Sequence, residues 1–96
     1  MADFFIVKDT GIVQVNDSTA LGTRSGYQQK VSIFHENLGD IIISFADVAL
    51  SSSLYGYDKV CETKIFEADE KGEMVFGSCF WEGASVEEAL EALKTM

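Results

Sequence analysis

The chain has 96 residues, with 16 acidic side chains against 7 basic ones and a formal net charge of -9. That length supports one small domain with one core, and the charge argues against a protein that grips phosphate backbones, whose affinity comes from lysine and arginine displacing counterions. A hydrophobic fraction of 47%, with 11% aromatic residues, is too apolar for a disordered acidic tail, and no apolar run reaches the roughly 18 residues of a membrane span.

The expectation is therefore a folded, cytoplasmic protein, residues 1-96 forming a single domain, with no membrane and no direct nucleic-acid contact. Phe4 to Val7 lacks the basic leader, long apolar region and cleavage site of a signal peptide. Phe4 to Lys8 and Ile12 to Val15 flank Asp9-Thr10-Gly11, which reads as a hairpin turn. Asn16 to Gly26 is polar and rich in turn formers, and reads as a flexible loop. Gln29 to His35 alternates, with Val31, Ile33 and His35 on one face and Ser32 and Phe34 on the other. Asn37-Leu38-Gly39-Asp40 turns the chain into Ile41 to Ala46, whose β-branched run predicts a buried strand.

Asp47 to Tyr57 carries no periodic pattern and reads as irregular, with Tyr55 and Tyr57 in a loop. Lys59 to Glu67 predicts a further strand. Asp69-Glu70-Lys71-Gly72 is the clearest hairpin turn, and Met74 to Trp81 is the expected return strand. Ser85-Val86-Glu87-Glu88 forms a capping box that opens a helix from Val86 to about Lys94. Val86, Ala89, Leu90 and Leu93 share its apolar face, so Glu87, Glu88 and Glu91 point to solvent. The predicted class is α+β: an antiparallel sheet of about five or six strands with one C-terminal helix packed on it.

No catalytic set, metal site or cofactor motif stands out, and the expectation is a protein that is not an enzyme. His35 is the only histidine and lacks companions at ligand spacing, so it reads as structural or solvated. Cys61 and Cys79 read as reduced core thiols, although a three-residue hairpin turn would set them face to face. Gly22-Thr23-Arg24-Ser25-Gly26 lacks the spacing of a phosphate loop.

The acids say more through their placement. From Glu62 to Lys94 there are nine, Glu62, Glu67, Asp69, Glu70, Glu73, Glu82, Glu87, Glu88 and Glu91, against Lys64, Lys71 and Lys94. Two thirds of the net charge thus falls in the last third of the chain. Glu67, Asp69, Glu70, Glu73, Glu82, Glu87, Glu88 and Glu91 are the candidate partner-binding residues, as one negative surface spaced like phosphates. Trp81 joins them as an apolar anchor, because adjacent Phe80 and Trp81 cannot both enter one face of a strand. The plain alternative is a charged surface that keeps the protein in solution. Loops or a second copy, as a homodimer, are the other covers for a free sheet face.

Between Ile43 and Leu93, about half the chain, the sequence resembles a family of small phage and prophage proteins of unknown function. Ser44 lies in a strand, Glu62-Thr63-Lys64-Ile65-Phe66 follows at a similar interval, and Glu87-Glu88-Ala89 closes the pattern. The family's Asp-His after the serine strand and Gly-His after the final motif have no counterpart here. The resemblance implies a mobile-element origin. Small acidic phage proteins without catalytic residues are similar in kind to anti-CRISPR and anti-restriction inhibitors, some of them DNA mimics. The implied partner is a host nucleic-acid-binding protein, a CRISPR-Cas subunit.

Overall fold

A computed structural model describes residues 1–54 and 56–96; Tyr55, which the sequence places in an aromatic loop, lies outside the described residues. In chain order the elements are β1 (Phe4–Asp9), β2 (Val13–Thr19), β3 (Gly22–His35), β4 (Gly39–Ser52), β5 (Gly56–Glu67), β6 (Trp81–Gly83) and α1 (Val86–Leu93). The strands form one antiparallel sheet in the order β1-β3-β4-β5-β6, with β2 also on β3. The α+β expectation of strands followed by one helix holds.

The frame is the meander of β3, β4 and β5. A 14-residue strand spans about 46 Å at the usual rise, and the long axis of the molecule is 48 Å. These strands therefore run from end to end. At one end, the head, residues 31, 33, 41, 43 and 65 all face the same way, and Ala89 and Leu93 of α1 close over them to make the core. Phe4, Trp81, Val86, Leu90 and Met96 pack around its rim. At the other end, the arm, β2 and the remaining halves of β3, β4 and β5 continue with no helix over them.

Two expected loops are strands, and both belong to the arm. Asn16 to Gly26 forms most of β2, a tight turn and the start of β3, with Thr19 paired to Gly22. Asp47 to Ser52 continues β4, with Asp47 opposite Cys61 and Ser52 opposite Gly56. The polar, Gly- and Ser-rich composition fits a ribbon wet on both faces as well as it fits a loop, because such a ribbon buries neither side.

The expected β1–β2 hairpin does not form. Both strands pair with β3, β1 on Val31 to His35 and β2 on Gly22 to Gln28, and so lie end to end along one edge. Thr10 bridges the gap: its amide donates to the Lys30 carbonyl at 3.1 Å and its hydroxyl accepts from the Lys30 amide at 3.0 Å. Gly11 turns the chain with φ +67° while Asp9 Oδ1 accepts its amide at 2.8 Å. A local turn signal was present, but the pairing it served was non-local.

The Ser85 cap is present, its hydroxyl accepting from the Glu88 amide at 3.1 Å, while the Glu88 carboxylate reaches one residue beyond the cap and accepts from the Ala84 amide at 3.2 Å. The other end of the helix is held by His35, which is buried. Its Nδ1 accepts from the amides of Asn37 and Leu38 at 3.1 and 3.3 Å, so Nε2 carries the proton and donates to the Leu93 carbonyl at 2.8 Å. That bond satisfies one of the carbonyls a helix end leaves open. The histidine is structural: it fastens α1 to the end of β3.

Candidate protein-binding surface

The hairpin after β5 begins as the sequence predicts. Asp69 Oδ1 accepts from the amides of Lys71 and Glu73, each at 2.9 Å, the Asp69 amide donates to the Glu73 carbonyl at 2.8 Å, and Gly72 takes φ +78°. Ala68 bridges Met74. The return is different: the chain leaves the sheet after Val75 and rejoins it at Phe80, whose amide donates to the Ile65 carbonyl at 3.0 Å, so the expected strand from Met74 to Trp81 reduces to β6 at Trp81–Gly83. Phe76 and Gly77, at φ +80°, lie on that excursion, and Phe76 is fully exposed.

The predicted acids fall on both sides of the sheet. Glu87, Glu88 and Glu91 are exposed on α1, and Glu67, also exposed, shares the face of Ile65 by strand alternation. The hairpin tip curls the other way, with Lys71, Gly72, Glu73 and Met74 beside Ser32 and Ile42 on the face away from the helix. Asp69 and Glu70 line the adjoining cleft with Ser32 and Asp40. Glu82 shares Lys64 with Glu62, at 3.8 and 3.3 Å, and these bonds hold the Lys64 ammonium above its ordinary pKa, chiefly through Glu62.

Trp81 is half-buried and packs against the core. Gly83 leaves room for its ring, since a Cβ there would collide with the indole. Of the adjacent pair it is Phe80 that is exposed. Cys61 and Cys79 are both free and exposed rather than core thiols. Thr63 and Ile65 pair with Gly83 and Trp81, so neither cysteine lies within the β5–β6 ladder. Their sequence surroundings read as two apolar strands, and the second strand does not form there.

Charge is spread unevenly over the molecule. The arm, residues 13–28 and 46–62, has four acids, Asp17, Asp47, Asp58 and Glu62, against Arg24 and Lys59. Arg24 pairs with Asp17 at 3.1 Å and Lys59 with Asp47 at 3.7 Å; the Asp17 hydrogen bonds and charge raise the Arg24 pKa. The rest of the chain has twelve acids against five lysines and so carries seven of the nine net negative charges. Among the described residues no group of three or more histidine, cysteine or carboxylate side chains is placed to hold a metal ion, and no helix is long and apolar enough to cross a membrane.

Exposed apolar side chains supply what the acidic pattern did not reveal. Phe5 and Phe34 sit opposite each other on β1 and β3, with ring centroids 5.6 Å apart, and both are exposed. Ile6, Val7, Ile12 and Val13 are exposed along the same edge. Alternation alone does not find them, because β1 is an edge strand whose outer side has no neighbour. No family model matches the chain, and neither a curated protein nor a solved structure matches it.

Proposed function

We propose that the chain is a non-enzymatic inhibitor of mobile-element origin. It acts without a cofactor in the host cytoplasm, binding a basic, nucleic-acid-holding surface of a host defence protein such as a CRISPR-Cas effector. The observation that carries this reading is the excess of nine acids over three lysines from Glu62 to Lys94, where Glu70 and Glu73 stand exposed on a turn fixed by Asp69. Such a field steers a basic partner and weakens within about 10 Å at 0.1 M salt. Because the acids occupy both sides of the sheet, the docking element is one side of the head, and the other contributes through its field. A catalytic role for His35 has no support, since both ring nitrogens are spent on backbone partners.

The test is displacement of labelled DNA from purified CRISPR-Cas effectors by the chain, at low and high salt. Competition that weakens steeply with salt is expected. Glu70→Lys with Glu73→Lys, set against Glu87→Lys with Glu88→Lys, then identifies the docking side. Binding that ignores salt and leaves DNA in place would overturn the mimic.

A second reading, a structural or regulatory protein that self-associates through its sheet, is favoured by a separate observation. β6 covers β5 only at Thr63 to Ile65, so β5 from Gly56 to Glu62 is a sheet edge, and β1 with β2 forms the opposite edge. Unpaired sheet edges of this kind are templates for pairing. Sedimentation decides it: this reading requires a stable homodimer or larger oligomer in the absence of any host protein.

A further inference from the structure

We infer that the face of the head away from the helix carries an anion-binding cleft for a small phosphorylated molecule. The cleft holds about 660 Å³ and is lined by Lys8, Lys30 and Lys71 together with Thr10, Ser32 and Glu73. Arg24, Lys59, Lys64 and Lys94 are each committed to an ion pair. The three remaining basic side chains, none in an ion pair among the described residues, converge on this one place. In a chain of net charge -9 the lining of this cleft thus holds more ammonium groups than carboxylates.

Each lysine arrives from a different segment by a specific device. On β1, Ile6 pairs with Ile33, and a regular ladder would set Val7 opposite Ser32 and Lys8 opposite Val31, on the helix side. The register instead slips at Val7, so that Lys8 pairs with Ser32 and Asp9 with Val31. That bulge turns Lys8 to the cleft side, the kind of re-aiming for which bulges occur beside functional sites. Lys30 lies two residues from Ser32 on the same face of β3, its backbone held by Thr10. Lys71 is carried there by the Asp69-capped turn.

The lining selects a ligand chemistry. Lysine binds phosphate as a point charge, and the lining sets three ammonium groups against one carboxylate, Glu73, with Asp40, Asp69 and Glu70 in the adjoining cleft. Val7, the buried Ile42 and Met74 offer an apolar floor for the remainder of the molecule, and a methionine thioether suits contact with a ring. The volume lies within the range of small-molecule sites.

Calorimetry and amide NMR with ADP, adenosine and pyrophosphate test the assignment. ADP is expected to bind saturably, with shifts confined to residues 7–10, 30–32, 42 and 71–74, while adenosine does not. Lys30→Gln and Lys71→Gln should each weaken ADP by about two- to fivefold, as expected for exposed charge pairs, and Glu73→Gln should strengthen it. These are surface substitutions that leave the core intact. Absence of saturable binding, shifts scattered over Arg24, Lys59 and Lys64, or pyrophosphate binding as tightly as ADP would each overturn the proposal.

Discussion

Strands β3, β4 and β5 run through both halves of the molecule, but α1 covers one of their faces in the head and no helix covers them in the arm. The head is held by burial: Ile33, Ile41, Ile43, Ile65 and Leu93 are almost fully withdrawn from water. Among the described residues of the arm only Val15 is buried, so its order rests on the ladder and on glycine. Gly22 and Gly26 take φ near +140°, and a Cβ on either would strike the β4 backbone, at Ser51 and Asp47 respectively. One ladder thus passes from a region stabilised by apolar contact to one stabilised by close approach of its strands.

Leu93→Ala should break the head hardest. Removing a buried leucine from the contact between α1 and the sheet costs about 2–5 kcal/mol, measurable by urea unfolding. The arm, with no comparable core, should lose amide protection together with the head. Arm amides that keep their protection after this change would show that the arm folds on its own account, and the contrast would fail.

Gly26→Ala makes the reverse perturbation. An alanine would have to hold a backbone conformation that favours glycine while meeting the Asp47 carbonyl, a cost of about 1–3 kcal/mol. Hydrogen exchange should quicken in residues 13–28 and 46–50, while Ile33, Ile41 and Ile65 remain protected. Equal loss in both regions would mean that they open as one unit.

The same contrast explains what the sequence made legible. Val31, Ile33 and His35 alternate because only one of their faces is dry, and the Ser85 cap marks the helix that dries it. Asn16 to Gly26 and Asp47 to Ser52 have no dry face, so period-two hydrophobicity, the signal by which a strand is read, is missing. The lysine cleft was hidden for another reason: its residues come from three distant segments, and the bulge at Val7 reverses the phase that places Lys8. The acids were visible as a count, but their division between two sides was not, because the curl of the tip beyond β5 is set by contacts with β1, β3 and β4.

Thr63 marks the border between the two regimes. It is buried on the core side, opposite Phe45 and Gly83, and its hydroxyl has no hydrogen-bond partner among the described residues. Thr63→Val removes an unsatisfied polar atom at nearly constant volume and should raise stability by about 1 kcal/mol. A loss of stability would indicate a partner for the hydroxyl and move the edge of the dry region inwards.

Asp9 offers the smallest effect and tests the joint where β1 gives way to β2. Hydrogen bonds from the Gln29 side chain and the Gly11 amide hold its carboxyl below the ordinary aspartate value. A carboxyl whose pKa is lowered by folding contributes stability that is present above its unfolded value and is lost as the pH falls through the folded one. Acid titration followed by NMR should therefore find Asp9 still ionised where an ordinary aspartate has taken up its proton, and the Gly11 amide should report its eventual protonation. Asp9→Asn should abolish that step and loosen residues 9–12, leaving the Leu93 contact unchanged. If the Asp9 carboxyl titrates like an ordinary aspartate, the joint is held by Thr10 and the Lys30 backbone alone.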